Sequence, residues 1–358
     1  MNVTAQAAGG STTPQPEVSR PENAASALRI TPVVITLELD SNRRRLNPFL
    51  GSALRGALGH AFQASTCVTG TRVCRPCTEH FRCPYAYVFE TSWGPGITDP
   101  TKRFTNPPRP YVISVPFPYD GADTFELGLT LVGHAHSLLP QLLEALHHAG
   151  ERGVGSATPT RFRVDNVRPG LQFNRDGAST TLERVTLSDL ATRNDGDVAE
   201  LELEWLTPLR IKRFGGYLRD PERLTFSAFF DVLLARIEAL AAFHCGGDWN
   251  PDRDLRALAD QVTITRREMR LQRLQRFSSR KRTTHPIDGL LGQMTVSGPL
   301  ARLLPYLRMG TLIHLGNGAD FGLGRYRIHI ASAVGPSDRE GPPRLQTMPP
   351  APHTRTIS

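Results

Sequence analysis

The sequence predicts an α+β protein in which a β-α-β-β-α-β order of elements occurs twice. Two observations carry this. Short runs rich in β-branched residues, or alternating apolar and polar, recur along the chain, and each half-unit holds one apolar or amphipathic helical stretch. The 358 residues suffice for two domains of ordinary size, and 39% hydrophobic with 21% charged residues is a globular balance. No run approaches the roughly 18 apolar residues of a membrane span.

The first unit opens with "PVVITLELD" (32–40), an alternating strand. "NPFLGSALRGALGHAF" (47–62) follows as a helix, with Asn47 as N-cap and Pro48 at its first position. Its Leu50, Leu54, Leu58 and Phe62 form a core stripe, leaving Ser52, Gly56 and His60 on the opposite face. Gly56 and Gly59 each cost such a helix about 1 kcal/mol, so another backbone is expected to approach there. A Cys- and Pro-rich insertion (about 65–109) interrupts the chain. "RPYVISVPF" and "TFELGLTLVGHA" then read as paired strands, "SLLPQLLEALHHAG" as a helix and "TRFRVDNVRP" as the last strand, with "HAH" (134–136) at a strand end.

The second unit repeats the order. "AELELEWLTPLRI" is a strand, "TFSAFFDVLLARIEALAAFH" a helix, and "DQVTITRREMRLQ" and "GLLGQMTVSG" are strands. "PLARLLPYLRMGTLIH" is a helix and "LGRYRIHIASA" the closing strand. This is the ferredoxin-like order, so two tandem ferredoxin-like (RRM-like) domains are expected, at 28–198 and 199–334. Residues 1–27 and the Pro-rich 335–358 read as disordered tails. The N-terminal stretch lacks the apolar core of a signal peptide, so the expected location is cytoplasmic.

Four cysteines give the most specific local pattern. Cys67, Cys74, Cys77 and Cys83 have the spacing C-x6-C-x2-C-x5-C. Four thiolates so close can close a tetrahedral zinc site, which leaves no open position and is therefore structural. His80 can replace one of them, and unliganded thiols are the alternative. Cys245 stands alone and reads as a core cysteine.

The chain carries 42 Lys and Arg against 34 Asp and Glu, a net charge of +8, and only Lys102, Lys212 and Lys281 are lysines. An arginine-rich surface suits phosphates and bases, although a GC-rich genome alone enriches arginine. "TRREMRLQRLQRFSSRKRTTH" (265–285) gathers eight basic residues against one glutamate, with Phe277 interleaved. That pattern suits a surface tracking a phosphate backbone, with Arg276, Arg280, Lys281 and Arg282 the strongest candidates. Arg210, Lys212 and Arg213 are expected to extend the same strip.

The stretch "HLGNGADFGLGRYRIHI" (314–330) fits neither a P-loop nor a dinucleotide fingerprint. No Gly-Lys-Ser/Thr follows it, and it precedes a strand instead of a helix. A tight glycine turn with packed backbone is one reading, and close approach to a phosphate the other. In the strand, Arg325, Arg327 and His329 share one face.

"GNGADFGLGRYRI" resembles the C-terminal glycine-rich loop of the CRISPR-associated RAMP superfamily, and "FLGSALRGALGHAF" resembles its opening Leu-Arg-Gly helix. With "CPYAYVFE" and "RFSSRKRTTHPIDGLLG", in this order, the chain is similar over about 30–332 to the crRNA-processing endoribonuclease family. The resemblance implies a glycine loop (316–324) packed across the domain cleft near RNA, with Arg55, Arg325, Gly316, Gly318, Gly322 and Gly324 among the RNA contacts. It implies cleavage of CRISPR repeat RNA without a catalytic metal: a 2′-hydroxyl attacks the adjacent phosphate, leaving a 2′,3′-cyclic phosphate and a 5′-hydroxyl. Family members place a proton-transferring histidine on the first helix, which points to His60, with His285 and His314 as the alternatives. The alternative function is a non-catalytic RNA-binding RAMP subunit. Expected partners are repeat RNA and other subunits of a CRISPR effector complex, with no membrane.

Overall fold

The computed structural model describes residues 24–40, 46–93, 107–155, 159–170, 184–191, 196, 198–213, 215–247, 252–278 and 283–330. Its strands and helices fall into two units of the same design. The first contains β1 (Ile30–Leu39), α1 (Gly51–Thr66), α2 (Pro84–Phe89), β2 (Tyr111–Ser114), β3 (Thr124–Val132), α3 (Leu139–Arg152) and β4 (Phe162–Pro169). Its sheet runs β2-β3-β1-β4 with antiparallel pairing throughout. The short α4 (Leu187–Leu190) leads to β5 (Glu200–Leu209), β6 (Lys212–Arg213), β7 (Gly216–Tyr217), α5 (Phe226–His244) and α6 (Arg253–Ala259). Then come β8 (Thr263–Gln272), the hairpin β9 (Gln275–Ser278) and β10 (Thr283–Pro286), β11 (Gly289–Ser297), α7 (Leu304–Ile313) and β12 (Tyr326–Ile330). The second sheet runs β12-β5-β11-β8. Both orders place the first and third strands of the unit at the centre, the ferredoxin-like arrangement. The protein is thus an α+β fold of two tandem ferredoxin-like units.

Each sheet buries one face because its strands alternate. In β1, Val33, Ile35, Leu37 and Leu39 point inward against Leu54, Leu58 and Phe62 of α1 and Leu142 and Leu146 of α3. In the second unit, Leu201, Leu203 and Trp205 of β5 meet α5 and α7, with Trp205, Phe229 and Tyr326 in mutual ring contact.

Several details depart from the sequence expectations. The ordered chain begins before residue 28, because Ala24–Ala27 form a 3-10 turn whose Ala25 is 1% exposed in the second unit's core. The remainder of the 1–27 tail lies outside the described residues, as does 335–358. Helix α1 starts at Gly51, and Asn47 does not cap it; its Oδ1 accepts from Phe49 N at 2.8 Å in a local turn. The cysteine insertion is not all peripheral. Its "CPYAYVFE" stretch forms α2, whose Tyr85, Val88 and Phe89 enter the first core. A Cβ on Gly59 would meet the Phe89 ring at 3.2 Å, whereas one on Gly56 would meet nothing within 4 Å. The close backbone approach occurs at Gly51, which packs on the Phe321 carbonyl. "HAH" lies in a 3-10 turn (Gly133–Leu138), where His136 Nδ1 meets Thr31 Oγ1 at 3.1 Å. Cys245 is a core cysteine, 6% exposed.

A small apolar cluster of Phe49, Ile287, Phe321 and Leu323 joins the two units. A polar link lies nearby: His244 at the end of α5 donates from Nε2 to the Pro108 carbonyl at 2.8 Å, and Tyr87 of α2 donates to its Nδ1 at 3.2 Å. This pairing requires the neutral ring. Burial, with Arg236 and His134 adding positive charge nearby, pushes its pKa down to about 4 from an ordinary 6.5. Fully buried His314 is pushed down as well. Between pH 6.5 and 4 the unfolded chain therefore binds protons that the folded protein refuses, so stability falls with falling pH. We expect roughly 3 kcal/mol to be lost across that window from His244 alone. Urea midpoints at pH 7.5 and 4.5 check this, and a His244→Gln variant should flatten the difference.

Candidate nucleic-acid interface

A cleft of about 1320 Å³ opens between the two units. One wall comes from the first unit: Arg55 of α1, the cysteine insertion with Arg75, His80 and Phe81, and Arg109 before β2. The other comes from Arg210, Lys212 and Arg213 at the end of β5 and from the face of α5 carrying Asp231 and Arg236. Residues Gly316–Asp320 of the glycine loop line it between the two. Seven of these lining residues are basic and three acidic.

The acidic members are largely committed. Asp320 accepts from Arg109 Nη1 at 2.9 Å and lies 3.9 Å from Arg55 Nε, while Asp231 pairs with Arg256. Arg236 is 9% exposed, and its guanidinium donates to the Ile313 and His314 carbonyls at the end of α7. Without a carboxylate in contact, burial pushes it down to about 10, with only Asp320 opposing. It remains charged at neutral pH, held by the carbonyl end of α7 instead of a carboxylate.

The glycine loop explains itself as geometry. Gly316, Gly318, Gly322 and Gly324 all have φ between 69° and 105°, the region L side chains avoid. Thr207 donates to the Gly322 carbonyl at 2.8 Å and accepts from Arg325 N at 2.8 Å, while Asn317 N bonds the Arg210 carbonyl at 2.8 Å. The Arg210 side chain reaches from Asn317 Oδ1 to the Asp288 and Pro286 carbonyls and stacks on Tyr217 at 4.1 Å. Loop, β5 end and hairpin base thus form one rigid knot.

The sequence-predicted residues divide accordingly. Arg55, Gly316, Gly318, Arg210, Lys212 and Arg213 line the cleft. Arg55 also donates to Tyr111 Oη at 3.1 Å. Gly322 and Gly324 are buried within the loop and are not among the residues lining the cleft. Arg276 lies over the Phe321 ring at 5.2 Å, outside the cleft lining, and Arg325 is half-buried at the start of β12. Arg280, Lys281 and Arg282 lie outside the described residues. The basic face of β12 is partly neutralised, since Arg327 and His329 both bond Glu204 at 2.6 and 2.9 Å.

Among the histidines, His60 is exposed on α1's outward face and is absent from the cleft lining. His285 is half-buried on β10 opposite Arg276, and His314 is 2% exposed with Nδ1 unpartnered, inaccessible to a substrate. Cys67, Cys74, Cys77 and Cys83 line one small pocket of about 20 Å³ beside the end of α1. Gln63 Nε2 donates to Cys74 Sγ at 3.3 Å. Among the described residues no three His, Cys, Asp or Glu side chains converge at metal-ligand geometry. Four thiols are a donor set that suits zinc chemically.

Sequence reasoning missed Arg109, Asp320 and Arg236 as cleft residues. Arg236 is the one Arg or Lys in the largely apolar α5, which was the available signal; nothing marked Arg109.

No described helix is long and apolar enough to cross a membrane. Residues 28–190 match the N-terminal-domain model AF_1859_N, and residues 203–326 match the model of the CRISPR-associated endoribonuclease Cas6. No curated protein matches the chain. Among solved structures, a Cas6 product complex is similar at 16% identity and TM-score 0.50, covering 84% of this chain and 100% of that one. A partial Cas6-RT-Cas1–Cas2 complex is similar at 14% identity and TM-score 0.51, over 87% of this chain and 48% of that one. The second unit thus matches the Cas6 endoribonuclease model, and both units share the fold of the Cas6 structures.

Proposed function

We propose that the chain holds CRISPR repeat RNA in the basic cleft and cuts it where the strand passes His60 of α1, by internal attack of a 2′-hydroxyl. The 2′-oxygen bonds to phosphorus as the bond to the 5′-oxygen breaks. One proton leaves the 2′-hydroxyl and another reaches the 5′-oxygen, giving a 2′,3′-cyclic phosphate and a 5′-hydroxyl. Charge developing on the phosphorane is met by cations, for which the arginine-lined cleft is the supporting observation. His60 is the proposed proton-transfer residue. Gly56, one turn before it on the same face, has no neighbour within 4 Å of a Cβ position, so backbone and imidazole are both open to a strand of RNA. The test is incubation of purified protein with repeat RNA in EDTA. Cleavage with cyclic-phosphate ends is expected, and a product that appears only when divalent metal is restored would overturn the mechanism.

A second reading, an RNA-binding subunit without activity, is favoured by one observation: His60 does not line the cleft where the cations gather. Intact RNA held tightly in the same assay would select it. Under either reading other subunits of a CRISPR effector complex are the expected protein partners.

Cys67, Cys74, Cys77 and Cys83 are the residues that would hold a structural Zn²⁺, which supplies crosslinking of the 67–83 turn and no reaction step. About one zinc per chain is expected by elemental analysis. Cys77→Ser should lose it and expose the turn to proteolysis. Metal-free protein with the same proteolytic resistance would count against the site.

A further inference from the structure

The cysteine insertion presents an aromatic side chain to the cleft that packing does not explain. Phe81 is 61% exposed, and among the exposed large apolar side chains of the described residues it is the one that lines the cleft. It is also held in place. His80 meets its ring edge-on at 5.1 Å between centroids, and His80 is itself pinned through Nδ1 to the Cys74 carbonyl at 2.9 Å and through Nε2 to Ser92 Oγ at 2.8 Å. Arg75 shares this wall, and Arg210 and Lys212 stand on the opposite one. An exposed, propped aromatic ring beside cations matches what an unpaired nucleotide needs: a face for its base and charge for its phosphate. An apolar protein segment would gain little from a wall this basic.

We propose that Phe81 is a specificity-determining residue on which one unpaired base of the RNA stacks, so that the cysteine insertion contributes base recognition while the two ferredoxin-like units supply the backbone contacts. This rests on the RNA reading above. It predicts a preference for substrates with an unpaired nucleotide at one position, because a base kept in a duplex cannot reach the ring.

The test uses the full chain and repeat RNA carrying 2-aminopurine at successive positions, read by fluorescence and by titration at several salt concentrations. Phe81→Ala should weaken binding roughly 5- to 150-fold, the range for loss of one stacked base. The salt slope should stay the same, and quenching should be lost at a single position. Phe81→Trp should restore both. Lys212→Ala, by contrast, should lower the salt slope by about one. Because Phe81 is exposed, the melting temperature should not move. If wild-type protein binds RNA with the expected salt dependence but Phe81→Ala binds within twofold of it, the stacking proposal fails and the RNA reading stands. If Phe81→Ala leaves RNA binding intact and abolishes association with a protein partner, the ring belongs to that interface and the proposal is overturned. If the wild type shows no salt-dependent RNA binding, the RNA reading itself fails.

Discussion

Replacing His60 with alanine should slow cleavage of repeat RNA by roughly 10²- to 10⁴-fold, the usual contribution of one positioned general acid or base. RNA affinity should stay within about twofold, because the residue is exposed and lies outside the cation-lined cleft. Single-turnover rates with saturating enzyme isolate the chemical step from binding. His285→Ala is the matched control, since His285 is the other substrate-accessible candidate. A His60→Ala protein that cuts at the wild-type rate would remove this residue from the mechanism, and a His285→Ala protein that fails to cut would replace it.

The second large effect is expected at Gly324. Its φ of +69° suits glycine alone, and an added Cβ would run into the Leu315 carbonyl. Alanine there must both occupy the left-handed region, at about 1–2 kcal/mol, and displace packed backbone, at about 1–3 kcal/mol. Gly324→Ala should therefore lose about 2–5 kcal/mol, a fall in melting temperature of roughly 5–15 °C. RNA affinity should fall with it, because Gly324 N also bonds the Pro208 carbonyl and holds the loop against β5. Gly56→Ala gives the contrast: a helical position with open space, where alanine should gain up to about 1 kcal/mol. Equal stability for both variants would show that the loop's conformation is not constrained as described.

These two glycines show what could be read in the chain and what could not. Period-2 alternation in "PVVITLELD" and "AELELEWLTPLRI" follows from each sheet burying one face, so strands and their order were legible. The glycine loop's position before the last strand was legible too. Which glycines face the cleft was not, because burial of Gly322 and Gly324 depends on Thr207 and Pro208, more than a hundred residues earlier. The start of α1 was misplaced for a similar reason. Asn47 and Pro48 satisfy local capping rules, yet the Pro48 carbonyl is taken by Tyr119 N at 2.8 Å.

By itself the sequence determined the two-unit α+β architecture, the clustering of cysteines and the excess of arginine, because periodicity, spacing and charge are properties of neighbours along the chain. Only the tertiary structure decided where that charge is useful. It tied Arg327 and His329 to Glu204 and gathered Arg55, Arg109, Arg210 and Arg236 around one cleft. It left Phe81 exposed at that cleft's wall. Electrostatic fields and solvent access depend on distances through space, and those exist only after residues far apart in the chain have been packed together.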